Sequence, residues 1–501
     1  MDDPRIAEVE WEPLGHIFRV PLDRSTRLGS QYRLLELSRG PEQELVAVVR
    51  GTVEDVPAPM GPWDSGLAGQ PIEPEPDLEL SAGSSAWKIR FRSPAPLGRP
   101  GFRGRDLQLP ITAHGVRIEI QSSSGRMPRW CSVWCLNGPR ELIFSRETKR
   151  RTSLTYERRR EDTAADISVD DEPLSWGLAW DFMKVPGLVA GSSAIFARAA
   201  DDVAPQEFNP HVLEFEMPAD QTVTWESLSP FLAALGFAIG RRLIAIGFTV
   251  FDSSWSPIVH ELRSAWTQNL RRECGNRSYP PISRPMGEPV DEDMISGLVS
   301  MFRVALVDYP LTEATWRLHY AESTFLEVAL PHCAASLESI MNAWFRSRKS
   351  RSQRRYLKEK DWSEISREPL ELLEQKLVGM PFVKRIVGRA AKANEFGVNE
   401  SFPKFLDELG LRIGAVEDRA FHARNKGVHG GAMSGDDYFV LLSNLRAYQT
   451  LVHRVLLRVM GWEDEYIDYS THGHPTRQLN EALGGPRGDG VAARTRKPSA
   501  P

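Results

Sequence analysis

The sequence predicts an α+β protein of two domains, an antiparallel β-sandwich-like domain followed by an all-helical bundle. Three observations carry that prediction. The chain has 501 residues, more than one hydrophobic core ordinarily serves. Its hydrophobic period changes from two to between three and four partway along. A proline-rich stretch, Ser278-Tyr279-Pro280-Pro281-Ile282-Ser283-Arg284-Pro285-Met286, lies where the period changes. The expected division is a β-rich domain over 1–277, a linker over 278–290, a helical domain over 291–470 and a disordered tail over 471–501.

In the first domain the segments His16–Val20, Ala86–Arg92, Val116–Ile120 and Val212–Glu216 alternate apolar and polar residues. Each such strand has one buried face and one wet face, and clusters of Gly, Pro, Ser and Asp mark the turns between them. Phe231 to Val250 is the most apolar stretch, but Arg241 and Arg242 sit at its centre. Charge at that depth is too costly for a bilayer, so the stretch predicts a buried helix of a protein without a membrane partner.

Beyond the prolines, apolar residues recur at three and four from Asp291 to Ala305 and from Leu326 to Trp344. Further helices are expected at Pro369–Leu377, Phe382–Lys392, Pro403 to about His429, and Asp436–Met460. The tail from Thr471 is rich in Gly, Pro and Arg and poor in apolar residues, the composition of a segment without a core.

Charge narrows the function. Lys and Arg total 62 against 67 Asp and Glu, which excludes a broadly basic nucleic-acid coat but not local basic patches. Only four cysteines occur, too few for a disulfide scaffold, and the acidic start leads into no secretory apolar segment. A reducing, cytoplasmic setting is expected. Cys131 and Cys135 lie in an alternating segment with no second pair to complete a zinc site, so they read as small buried hydrophobes. Ten of the 14 tryptophans precede the prolines, Trp130, Trp134, Trp176, Trp180 and Trp225 among them. They serve either as core or as a stacking platform. No phosphate-cradling loop, zinc-protease helix, nucleophile elbow or dinucleotide fingerprint is present.

Two basic clusters remain, Arg146–Arg151 with Arg158–Arg160, and a run through Arg346, Arg351, Arg354, Arg355 and Lys360. In the second, Arg351, Arg354 and Arg355 are the candidates for contact with an RNA backbone, which requires positive charge rather than a base sequence. The same domain carries Arg424-Asn425-Lys426-Gly427-Val428-His429 followed by Gly430 and Gly431. His429 is the only one of 11 histidines with Arg five positions earlier. An imidazole at a helix C-terminus is favoured in its protonated form, and a guanidinium offers a planar fork for phosphate. Together they can hold a phosphodiester and move a proton without a metal or other cofactor. An Arg and a His that merely cap a helix are the other reading.

Arg424-Asn425-x-x-x-His429-Gly430 resembles the R-N-x-x-x-H signature of HEPN domains, helical modules of RNA-cleaving toxins and phage-defence proteins. Ala335–Asn342 resembles their leading helix, and Gly461–Asp468 the segment after their last. A β-rich region ahead of such a module resembles the ApeA type of anti-phage protein. The resemblance implies a metal-independent endoribonuclease of abortive-infection defence, acting on RNA as a homodimer, with a phage-derived trigger bound by the N-terminal domain. It implies His429 as acid/base, Arg424 on the phosphate, Asn425 orienting one of them, and Glu338 as a polar partner. Gly427 departs from the aliphatic residue more usual there, and glycine costs a helix about 1 kcal/mol. The alternative is a non-catalytic dimerisation or RNA-binding module with a β domain that recognises a glycan or protein.

Overall fold

The computed structural model describes residues 18–23, 32–52, 78–82, 87–92, 94–96, 101–103, 106–123, 125–149, 178–189, 192–199, 206–217, 222–265, 270–282, 289–347, 355–424 and 435–492. The chain divides into two compact units, 1–300 and 301–501. This division comes later than the expected linker. Residues 278–282 are packed into the first unit: Ser278, Pro280 and Ile282 are buried, and the Tyr279 N–H donates to the Gly240 carbonyl at 3.0 Å.

The strands of the first unit pair antiparallel, and an isolated bridge between Ile143 and Pro289 is parallel. One sheet holds β1 (Phe18–Pro21), β2 (Tyr32–Arg39), β3 (Leu45–Thr52), β6 (Ala95–Pro96), β7 (Gly101–Arg103) and β8 (Asp106–Ala113). A larger one holds β4 (Leu78–Ala82), β5 (Trp87–Arg92), β9 (Gly115–Ile120), β10 (Trp130–Leu136), β11 (Arg146–Lys149), β12 (Leu178–Val189), β13 (Ser192–Arg198), β14 (His211–Glu216), β15 (Ile244–Phe251) and β16 (Pro257–Arg263). Alternation decides the packing. Leu35 and Leu37 of β2 pair with Val49 and Ala47 of β3, and Leu80 of β4 pairs with Ile89 of β5. All six are buried in one shared core to which both sheets contribute. Arg39 fastens the layers, donating to the carbonyls of Gln43, Arg263 and Ile246 at 2.9, 3.0 and 2.6 Å. Burial lowers its pKa to about 9, which still leaves it charged at neutral pH.

The apolar stretch from Phe231 is not one helix. Helix α1 (Trp225–Ile239) ends at Gly240, and β15 follows after Leu243. Gly240 has φ 72°, and a Cβ there would stand 2.0 Å from the Pro280 nitrogen, so the chain turns where only glycine fits. Arg241 is buried in the turn and donates to the carbonyls of Gly138 at 2.7 Å and Cys274 at 3.3 Å. Helix α2 spans Leu270–Gly275, and α3 spans Glu292–Ala305 across the division between units.

The second unit is built on α4 (Leu311–Ser323), α5 (Leu326–Arg346), α8 (Val398–Glu408), α9 (Ala415–Ala423) and α10 (Gly435–Met460). Helices α6 (Glu359–Lys376) and α7 (Val383–Ala391) form a hairpin between α5 and α8 in the chain. Helix α6 begins ten residues before the expected Pro369. The single helix expected from Pro403 to about His429 is two, α8 and α9, broken at Leu409–Gly414 where Gly410 takes φ 69°. No described helix is long and apolar enough to cross a membrane.

The expectation of disorder from Thr471 fails over 471–492. Strands β17 (Glu465–Ile467) and β18 (Thr476–Gln478) pair, and Leu479 and Leu483 are buried. Polar bonds to buried charges supply the order that few apolar residues could. Arg454 of α10 and Glu417 of α9, both fully buried, pair at 2.8 Å. Arg454 also donates to the carbonyls of Leu479 and Arg412, and Glu417 accepts the N–H groups of Leu483 and Gly414. Asp468 accepts from Ser470, Thr471, Arg477 and the Gly484 N–H.

Two outcomes follow. Ending the chain after Ser470 strips the Leu479 and Leu483 partners from a buried ion pair, so denaturant unfolding of the helical unit should show a loss of about 3 kcal/mol or more. Burial alone would raise the Asp468 pKa, but the bonds from Ser470, Gly484, Thr471 and Arg477 outweigh it and hold it below 3.8. Its contribution is therefore complete above that value and lost as the pH falls through the lowered one. Unfolding titrations of Asp468→Asn should show a shallower acid slope than wild type and lower stability at pH 7.

Candidate functional site

Arg424 lies at the C-terminal end of α9, the last described residue before 435. Asn425 and His429, with Gly427, lie outside the described residues. The described helix ends at Ala423, with Arg424 as its C-cap.

Helix α9 reaches this point through its other end. Glu417 fixes its N-terminus to α10, and its apolar residues Val416, Ala420 and Phe421 are buried. Phe421 stacks on Phe402 of α8 with ring centroids 3.8 Å apart and planes at 6°. That stack is the floor on which Arg424 rests, its guanidinium 3.8 Å from the Phe421 centroid. Nη1 donates to the Phe421 carbonyl at 2.7 Å, and Nη2 to Asn399 Oδ1 at 2.8 Å. Nε stands 3.9 Å from Glu338 Oε1 of α5. Arg424 is 7% exposed, held by three helices.

Tyr448 of α10 belongs to the same neighbourhood. It is fully buried, its hydroxyl has no hydrogen-bond partner among the described residues, and burial pushes its pKa up against the field of Arg424. Sequence reasoning missed Tyr448 and Asn399. Nothing in the periodicity separates a tyrosine over a cluster from one in a core, and Asn399 meets Arg424 only because α8 folds back beside α9. His319 and His453 form another buried polar site on α4 and α10. Burial first, then His319 and Arg446, lower the His453 pKa to about 3, so it is a neutral core histidine at physiological pH.

The basic run is only partly described. Arg351 and Arg354 lie outside the described residues. Arg355 is exposed and ion-paired with Glu359, the first residue of α6. Cys131 and Cys135 are buried free thiols, as their alternating segment implies, and burial pushes Cys135 up to about 12. Among the tryptophans, Trp134 is core, and Trp225 packs edge-on against Phe248 with Arg263 over its ring. Trp130 and Trp255 stack at 5.0 Å and 9°, half-buried, with Arg129 over Trp130. Trp176 and the side chain of Trp180 lie outside the described residues. Among the described residues no group of His, Cys, Asp and Glu is arranged to hold a metal ion.

Compared with protein-family models, curated proteins and solved structures, the chain matches none.

The contacts of Arg424 set an outcome for its replacement. Arg424→Ala removes two hydrogen bonds and a cation–π contact from a buried position and should lower stability by about 1–3 kcal/mol. Asn399→Ala, losing one bond from an exposed residue, should cost about 1 kcal/mol or less in the same thermal or denaturant measurement.

Proposed function

We propose that the helical unit is a HEPN-type endoribonuclease of anti-phage, abortive-infection defence, cutting RNA in the cytoplasm as a homodimer, with the β-rich unit receiving the trigger. The observation that carries this reading is the mounting of Arg424. A guanidinium braced by Phe421, Asn399 and Glu338 sits directly before the segment that contains Asn425 and His429. Bracing of that kind positions a functional group more closely than a free loop residue would be.

In the reaction, the RNA 2′-hydroxyl gives its proton to the His429 imidazole and attacks the adjacent phosphorus. The bond to the 5′ oxygen breaks, and that oxygen takes a proton from the imidazolium of the second copy's motif. The products are a 2′,3′-cyclic phosphate and a 5′-hydroxyl. Arg424 lies against the phosphate and stabilises the charge that develops on it. Asn425 orients one of the two. The exposed Tyr438, Phe439 and Val440 at the start of α10 immediately follow the motif segment and offer apolar surface for a second copy. Arg355, with Arg351 and Arg354, tracks the RNA backbone.

A second reading is favoured by one bond. Arg424 donates to Phe421 within its own helix, as a C-terminal cap does. On that reading the bundle dimerises or binds RNA without cutting it, and the Trp130–Trp255 stack is the platform on which the β unit takes a glycan or protein ligand.

A digest of total RNA separates the readings. Wild type should cut in the presence of chelator and leave 2′,3′-cyclic ends, and His429→Ala should lose at least about 100-fold in rate, the range of acid/base contributions. Arg424→Lys should not restore cutting, because a point charge does not reproduce the fork. An unchanged rate in His429→Ala would remove the catalytic reading.

A further inference from the structure

Helices α6 and α7 are held at their base and bare elsewhere. At the base, buried Asn394 bonds both ways with the backbone of Leu357, at 2.7 and 2.9 Å, and Trp362 Nε1 donates to the Ala391 carbonyl at 3.0 Å. One stripe along each helix seals the hairpin. On α6 it runs through Trp362, Ser366, Leu370, Leu373 and Leu377, and on α7 through Val383 and Val387, at the three-and-four spacing of a helical seam. Ser366 is the only buried residue of α6, and α7 has none.

A second apolar stripe faces outward. Ile365, Leu372, Val378, Met380, Phe382 and Ile386 are 60, 54, 76, 51, 60 and 38% exposed. Six exposed large apolar residues on one helical hairpin mark a contact surface.

The charges around it are divided by helix. Helix α6 carries six acidic residues against three basic, Glu364, Glu368, Glu371 and Glu374 among the acids. Helix α7 carries Lys384, Arg385 and Arg389 and no acid. A surface with one acidic and one basic helix side by side is complementary to its own copy turned by a two-fold axis: α6 of one chain then lies on α7 of the other. An α6-on-α6 approach would oppose like charges, so the same residues select the register.

We infer that the outer face of the α6–α7 hairpin is a two-fold interface with a second copy of this chain, the two hairpins closing into a four-helix bundle with their outer stripes as its core. Helices of 18 and 9 residues place the contact at the small end of specific interfaces, below about 1,200 Å² in total, the class of weak and transient contacts. It is a different surface from the start of α10, and it does not depend on whether His429 cuts RNA.

The test uses the full chain carrying Leu372→Cys, labelled by a maleimide without RNA; the four native cysteines are buried and do not compete. Labelling at tens of micromolar should be about tenfold slower than at nanomolar concentration. Adding Phe382→Glu should restore the fast rate, with circular dichroism unchanged because both positions are exposed. Variants with Glu364, Glu368 and Glu371 changed to Lys, or with Lys384, Arg385 and Arg389 changed to Glu, should each lose protection alone and regain it when mixed. Fast labelling at every concentration would overturn the proposal. So would slow labelling in a species of monomer mass, since the chain itself then covers the face. Failure of RNA cleavage with concentration-dependent protection intact would refute the catalytic reading alone.

Discussion

The Arg454–Glu417 pair is the constraint on which the helical unit depends. Two charges with no exposed surface repay their desolvation only when every remaining donor and acceptor is met. The partners come from the strap beyond α10 and from the break before α9, whose last residue, Gly414, is the N-cap of α9. The pair therefore fixes both segments at once. Glu417 sits at the start of α9 and Arg424 at its end, seven residues on. Rotation or translation of α9 at its anchored end would therefore be carried directly to the guanidinium.

Buried arginines do the same work in the β unit. Arg39 of the smaller sheet bonds the carbonyl of Gln43 in its own hairpin turn and those of Arg263 and Ile246 in the larger sheet, and Arg241 bonds two across the turn after α1. In each case the planar fork gathers several backbone carbonyls around one buried charge. The apolar cores give each unit its layers, and the arginines set how the layers register. Arg424 differs from these in meeting two side chains, Asn399 and Glu338, as well as a carbonyl. Its surroundings are those of a mounted group more than of a chain crossing.

What could be read from the sequence divides along the same line. Period-two segments such as Val116–Ile120 and Val212–Glu216 are strands, and Asp436–Met460 is a helix within one residue of its expected start, because apolar spacing responds directly to burial. The run Phe231–Val250 was illegible as helix-turn-strand because its apolar content is continuous. Only Gly240 marks the turn, and its meaning lies in the approach of Pro280, forty residues away. The tail was illegible for the opposite reason. Its glycines suggest freedom, but Gly485 takes φ 70° with the site of its missing Cβ 2.9 Å from Val416, a close approach that requires glycine. Composition counts apolar residues and cannot see that Arg454 and Glu417 need the tail's backbone. Arg424 itself was legible from its spacing to His429, whereas Asn399 and Tyr448 were not, since their relation to it exists only after α8, α9 and α10 pack.

The two readings of Arg424 are compatible at the level of atoms. A guanidinium carries five N–H groups in a fork. The helix cap uses one on Nη1, and Asn399 uses one on Nη2. Stacking on Phe421 occupies a face of the plane and none of its edge. The cap therefore does not exhaust the fork, and it removes the rotamer freedom that a phosphate would otherwise have to arrest on binding. A residue that merely capped would need neither the aromatic floor nor a carboxylate 3.9 Å from Nε. The bracing leaves the rest of that edge in one fixed orientation at the point where the described helix ends.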